Sequence, residues 1–173
     1  MKRVVIALVE GPHDSEFIET LMSNEMRGAY LKKVKLHNIA GYIRVALLSK
    51  GDQIVVSEYA AEGGFDKALK VAATLCRHIL LERSIARQAH FEFLVLADED
   101  SGRGASKLST ARSILSSLSN YGIELEVDER RWAIKYMARF ARTGGFTTIS
   151  VALVECSLEC QVVKHVLKEY RAF

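Results

Sequence analysis

Two short apolar runs in this chain each end on acid. Val4-Val5-Ile6-Ala7-Leu8-Val9 runs into Glu10, and Phe93-Leu94-Val95-Leu96-Ala97 runs into Asp98-Glu99-Asp100. Continuous apolar runs of this length read as strands buried on both faces, the habit of parallel sheets. Open α/β sheets build their sites at the carboxyl ends of such strands. The pattern therefore predicts acidic groups converging at one end of one sheet. Clustered carboxylates repel one another, and a divalent cation relieves that repulsion. Ligand sets made only of oxygen favour Mg2+ or Mn2+.

The rest of the chain alternates in the same way. Residues 3–9 read as a strand, and Asp14 or Ser15 can cap a helix through about Met26. Residues 34–40 and 53–60 read as strands, while 42–50 fit either state. Gly63-Gly64 opens a long helical period from about Asp66 to Gln88. A strand at 91–97, a helix at about 106–120 and an alternating strand at 123–127 follow. Residues 129–142 read as a helix stopped by Gly144-Gly145, then 147–154 as a strand and 159–170 as a last helix. Strands alternating with helices predict an α/β fold with a mostly parallel central sheet flanked by helices.

Composition narrows the class. The chain has 173 residues, 49% of them hydrophobic, with a single Pro and no low-complexity run. One domain, 1–173, is the expectation, with a core over about 3–120 and a strand–helix extension over about 121–173. The formal net charge of +3 is too small to name a partner by itself. Cys76, Cys156 and Cys160 form no CxxC pair, which argues against a disulfide scaffold and a cysteine zinc site. The start has too short an apolar core for a signal peptide, and no run reaches the length of a membrane span. A cytoplasmic protein with no membrane partner is the expectation.

The two acid-ended strands also carry a resemblance. Glu10-Gly11-Pro12-His13-Asp14 resembles the Glu-Gly-x-x-Asp signature of Toprim domains, and Asp98-Glu99-Asp100 resembles their Asp-x-Asp signature. Toprim domains occur in primases, topoisomerases, repair proteins and small nucleases. The resemblance covers roughly residues 3–120. It implies a Rossmann-like fold, with Asp98 and Asp100 as Mg2+ (or Mn2+) ligands and Glu10 as third ligand or proton-transfer group. Asp14 is a further ligand under this reading, or simply the helix cap. One departure stands out: Arg103 occupies a position where primases and topoisomerases usually carry Gly. The chain has no room for a primase's or topoisomerase's further domains, and no Walker A sequence. A small stand-alone Toprim nuclease fits the length best.

Further residues fall in with that chemistry. Ala152-Leu153-Val154-Glu155 echoes Ala7-Leu8-Val9-Glu10, and Glu159 matches Asp14, which offers Glu159 as a ligand for a second metal. Coincidence is the simpler account of so short a match, since a strand followed by an acid is a common way to leave a sheet. Arg103, Lys107 and Arg112 follow the aspartates and can neutralise a reacting phosphate, Lys107 from near the start of a helix. Arg131, Lys135, Arg139 and Arg142 fall on one face of the expected 129–142 helix, beside Trp132, Tyr136 and Phe140. Cations beside aromatics suit a nucleic-acid backbone with stacked bases. The plainer alternative is an amphipathic helix with its aromatics in the core. The expected function is Mg2+-dependent phosphodiester chemistry on DNA or RNA, most simply a nuclease. The alternatives are a nucleic-acid-binding or recombination-mediator module and a nucleotidyl-transfer subunit working with a partner protein. A homodimer is a further possible state.

Overall fold

The computed structural model describes residues 2–11, 14, 16, 18–20, 24, 30–38, 41–51, 53–60, 64–99, 103–131 and 133–154; over 30–49 and 53–60 it describes the backbone alone. The strands are β1 (Lys2–Val9), β2 (Tyr30–Asn38), β3 (Gly41–Lys50), β4 (Gln53–Ala60), β5 (Ala89–Asp98), β6 (Glu124–Arg130), β7 (Ala133–Phe140) and β8 (Gly145–Val154). The helices are α1 (Gly64–Leu81), α2 (Arg83–Ala86) and α3 (Gly104–Ser116), which runs into a 3-10 turn over Ser117–Tyr121. Asp14, Glu16, residues 18–20 and Asn24 carry helical backbone after β1.

Among the described residues the strands form one eight-stranded sheet, in the order β2-β3-β4-β1-β5-β8-β7-β6. The pairings β4–β1, β1–β5 and β5–β8 are parallel. The pairings β2–β3, β3–β4, β6–β7 and β7–β8 are antiparallel. The expected mostly parallel, Rossmann-like Toprim sheet is therefore corrected to a mixed sheet. The physical reason lies in two segments. Residues 42–50 and 129–142 supply return strands rather than helix, and each turns the chain back on itself at a sheet edge.

The misreading of 129–142 has a simple origin. A spacing of four residues brings side chains to one face of a helix, but four is also an even number, so it shares a face in a strand as well. Ile134, Tyr136 and Ala138 are buried while Lys135 and Arg139 are exposed, a period of two. Gly144 closes the turn from β7 and Gly145 opens β8, so neither stands at a helix end. Gly144 takes φ 69°, a left-handed backbone that glycine adopts without penalty.

One face of the sheet carries the larger core. Ile6 and Leu8 of β1, Phe93 and Val95 of β5, Ile149 and Val151 of β8, and Ile134 of β7 lie under α1 and α3. The residues α1 brings down (Phe65, Ala68, Leu69, Ala72, Cys76, Ile79 and Leu80) recur at helical spacing. Burial pushes the Cys76 thiol up to about 12, so it stays a neutral packing group. Cys156 and Cys160 lie outside the described residues. On the opposite face Ala7 and Val9 pack with Ile18 and Leu96. Both faces of β1 are covered, which is why its run is continuously apolar.

The helical period through Gln88 breaks early. Glu82 is extended (φ −94°, ψ 102°) and its carboxylate accepts from the Ser84 N–H and hydroxyl, starting α2. The turn after β7 is tied to the end of α1. The Thr143 hydroxyl donates to the Leu80 carbonyl at 2.7 Å and accepts from Gly145 N–H at 3.1 Å. No helix among the described residues is long and apolar enough to cross a membrane.

Candidate functional site

The carboxyl ends of β1 and β5 lie side by side. Val9 registers with Leu96 in the parallel pairing, so Glu10 leaves the sheet next to the Ala97–Asp98 end of β5. The sheet continues one step further there, where Glu99 N–H donates to the Val154 carbonyl at 2.9 Å. Beyond Glu10, the Gly11 N–H donates to Asp14 Oδ2 at 3.1 Å. A carboxylate three residues on, reaching back to a free backbone N–H, is how a helix start is capped. Asp14 thus reaches back from helical backbone to the chain leaving β1, rather than forward into the helix as an N-cap side chain does.

The residue that joins the two strand ends is Lys107, in the first turn of α3. Its ammonium donates to Glu10 Oε1 at 2.8 Å and to the Asp98 main-chain carbonyl at 2.7 Å. It also stands 5.5 Å from the ring centroid of Phe65, in the first turn of α1. A cation at that distance is drawn to the ring face. The Lys107 side chain is 14% exposed and the Glu10 side chain 22%, so water screens the pair only partly. Lys107 and Glu10 are 97 positions apart in the chain. They meet because β1 and β5 pair in register and α3 folds back over the β5 end.

Of the other expected site residues, Arg103 is exposed at the N-terminal end of α3 and contributes its carbonyl to the helix, accepting from Lys107 N–H. Asp100 and Glu159 lie outside the described residues, as does Trp132. Among the described residues no group of three or more His, Cys, Asp or Glu is placed to hold a metal ion. The donors that do converge, Glu10 Oε1 and the Asp98 carbonyl, are hard oxygens suited to Mg2+ or Mn2+. Their shared point holds the Lys107 ammonium instead.

At the same end of the sheet, toward β6, lies a groove of about 540 Å3 lined by Glu99, Ala105, Leu108, Arg112, Glu129, Arg130 and Arg131; neither Glu10 nor Lys107 lines it. It shares the β5 end and the first turns of α3 with the ion pair. Arg112 pairs with Glu129 across the groove, and Arg130 lies 3.8 Å from Asp128. Nothing in the sequence marks Phe65 or Arg130 as a site residue. Phe65 looks like any apolar residue at a helix start, and Arg130 falls between two other charges with no period to mark it.

The expected cationic row does not gather here. Arg131 is at the groove, but Lys135 is the third residue of β7, and Arg139 registers with Phe146 at the far end of β8. Val154 stands eight residue steps beyond Phe146 along β8, roughly 26 Å at the usual rise. Arg142 lies in the turn at that far end. The aromatic row is not open to bases either. Tyr136 is buried, and burial raises its hydroxyl above the ordinary value, while Phe140 packs against the core. The expected nucleic-acid face on a 129–142 helix is corrected on these grounds: the segment holds the end of β6 and all of β7, and its described aromatics, Tyr136 and Phe140, face the core.

No family model and no curated protein matches the chain. Solved structures that match include a glyoxalase family protein from Bacillus cereus, 12% identical, covering 89% of this chain and 94% of that one, with a TM-score of 0.25. A fosfomycin resistance protein from Listeria monocytogenes, complexed with Mn(II) and sulfate, is 9% identical over 94% of this chain and 96% of that one, with a TM-score of 0.23. A glyoxalase/bleomycin resistance protein from Streptomyces is 8% identical over 87% and 99%, with a TM-score of 0.22. Such low scores carry neither a fold nor an activity to this chain. No family model for Toprim matches the chain. With the sheet mixed as well, the Toprim assignment and the nuclease, nucleic-acid-binding and nucleotidyl-transfer functions drawn from it are withdrawn.

Proposed function

We propose that the carboxyl ends of β1 and β5 form a binding site for a small anionic ligand, with Lys107 and Glu10 as its working groups. The observation that carries this reading is the Lys107 ammonium, shielded from water and held between Glu10 Oε1 and the Asp98 carbonyl. Drawing a lysine and a glutamate out of water carries a desolvation cost that their mutual attraction only partly offsets. An apolar pair would fill the same space without that cost. The pair therefore suits chemistry better than stability. An entering carboxylate or phosphate competes for the Lys107 ammonium, and Glu10, released from it, can accept a proton from the ligand. The groove at the same end of the sheet, with Arg112, Arg130 and Arg131, offers further cations to an anionic ligand large enough to reach it.

The same oxygen donors support a divalent cation, Mg2+ or Mn2+, as a second occupant. Glu10 and Asp98 would hold it, in competition with Lys107, and when bound it would polarise a ligand oxygen. Calorimetric titration of the full chain with inorganic phosphate and with Mn2+ tests both statements. Phosphate binding is expected in the unaltered chain, retained in Glu10→Gln and lost in Lys107→Met. Mn2+ binding is expected to be lost in Glu10→Gln and tightened in Lys107→Met, where no ammonium competes. Heat from neither probe in the unaltered chain overturns the site. Phosphate binding that survives in Lys107→Met moves it elsewhere.

A further inference from the structure

The eight-stranded sheet is open, and its two edges differ in charge. One edge is β2, Tyr30–Asn38, which carries Lys32, Lys33 and Lys35 and no acid. The other is β6, Glu124–Arg130, which carries Glu124, Glu126, Asp128 and Glu129 against the single Arg130. Among the described residues neither edge carries a further strand. All of β6 is exposed except Leu125, and Val127 is 51% exposed. The chain's own cations offset part of this charge. Glu124 and Asp128 lie opposite Arg139 and Lys135 of β7, and Glu129 pairs with Arg112. Glu126 lies opposite Met137. An acidic excess is left along the edge.

An unpaired edge offers its backbone N–H and C=O groups to another strand, and charge on the edge usually prevents that. Here the signs select the partner. A two-fold dimer through β6 would set acids against acids, and one through β2 lysines against lysines. Like charges directly opposite are destabilising, whereas opposite charges across strands stabilise. Only unlike edges attract. Their directions also agree. β3 is antiparallel to β4 and β2 to β3, just as β7 is antiparallel to β8 and β6 to β7. Following the pairings across the sheet, both edges have the same sense as β1, so β6 of one copy beside β2 of another continues the sheet as a parallel pairing, the copies being related by the rotation the twist imposes.

We propose that β6 of one molecule docks on β2 of a second copy of this chain, head to tail. This contact is heterologous and does not use the ion-pair site, so it extends into rings or open rows rather than closing as a two-fold dimer. The test is the solution mass by light scattering across a concentration series, at low and high salt. At low salt the mass is expected to rise to at least twice the monomer with concentration, and to fall to the monomer at high salt as the charges are screened. Glu124→Lys with Glu126→Lys makes both edges basic. Lys33→Glu with Lys35→Glu makes β2 acidic like β6. Each double variant alone is expected to be monomeric, and an equal mixture of the two is expected to assemble again. Recovery in the mixture also shows that neither variant had lost its fold. A monomer at every concentration at low salt overturns the proposal. So does an assembly that both variants keep, or a mixture that stays monomeric.

Discussion

The two ends of the sheet each hold a cation against a glutamate, yet the two pairs differ in kind. At the carboxyl ends of the parallel strands, Lys107 meets Glu10 through one oxygen, and both side chains are largely shielded. At the amino ends, Arg3 of β1 grips Glu92 of β5 through two bonds of 2.9 Å each, with Arg3 55% exposed. His90 adds a nitrogen 3.3 Å from Glu92 and stacks on Phe146, over which Arg139 lies. The amino-end pair is a two-pronged clasp in water, which joins neighbouring strands without a large desolvation cost. The carboxyl-end pair is the costly one, and it sits where open sheets place their sites. Charge placed where it stabilises least is a mark of work other than stability.

The amino end should therefore be the rigid end, and its packing is where substitution should cost most. A Cβ on Gly145 would come 3.0 Å from Ala86 Cβ, 3.0 Å from Thr143 Oγ1 and 3.1 Å from Leu80 Cδ2. Gly145→Val is expected to lower unfolding free energy by about 3 kcal/mol in urea titration, as overpacking does. An unchanged midpoint would show that this end yields, and the contrast between the two ends would fail.

The carboxyl end gives the next effect. Lys107→Met leaves the Glu10 carboxylate and the Asp98 carbonyl without their donor, at a cost of about 2 kcal/mol. The double variant Glu10→Gln with Lys107→Met is expected to recover most of that loss, because no charge is left unpaired. A double variant no more stable than Lys107→Met would make the pair a source of stability and remove the argument for function.

The smallest effect belongs to the amino-end clasp. The Arg3 hydrogen bonds hold the Glu92 carboxyl below its ordinary value of 4.5, with His90 and Lys135 assisting. A depressed carboxyl contributes stability that is complete above its unfolded value and is lost as pH falls through the lower folded value. Glu92→Gln is expected to cost less than about 1 kcal/mol at neutral pH. It should also flatten the acid limb of the stability curve below pH 4.5. An acid limb as steep as in the unaltered chain would assign that loss to other carboxylates.

Much of the layout was legible in the residues, and the failures share one cause. The runs before Glu10 and Asp98 read as strands because burial on both faces leaves no place for a polar residue, and both are strands. The α1 stripe read as helix because 3.6-residue periodicity repeats over several turns. The 129–142 segment was misread because its cations stand four apart, a spacing that helix and strand share. Lys107 was legible as a cation near the start of a helix; that its partner is Glu10 was not.

Local sequence determined which stretches are apolar, where acids end them and where a helix must start, since these depend on neighbours a few residues away. The tertiary structure alone decided that the sheet is mixed, that β8 pairs with β5, and that Lys107 closes the gap between two strand ends. Strand pairing and a contact across 97 positions depend on how distant segments stack, and no local periodicity encodes that.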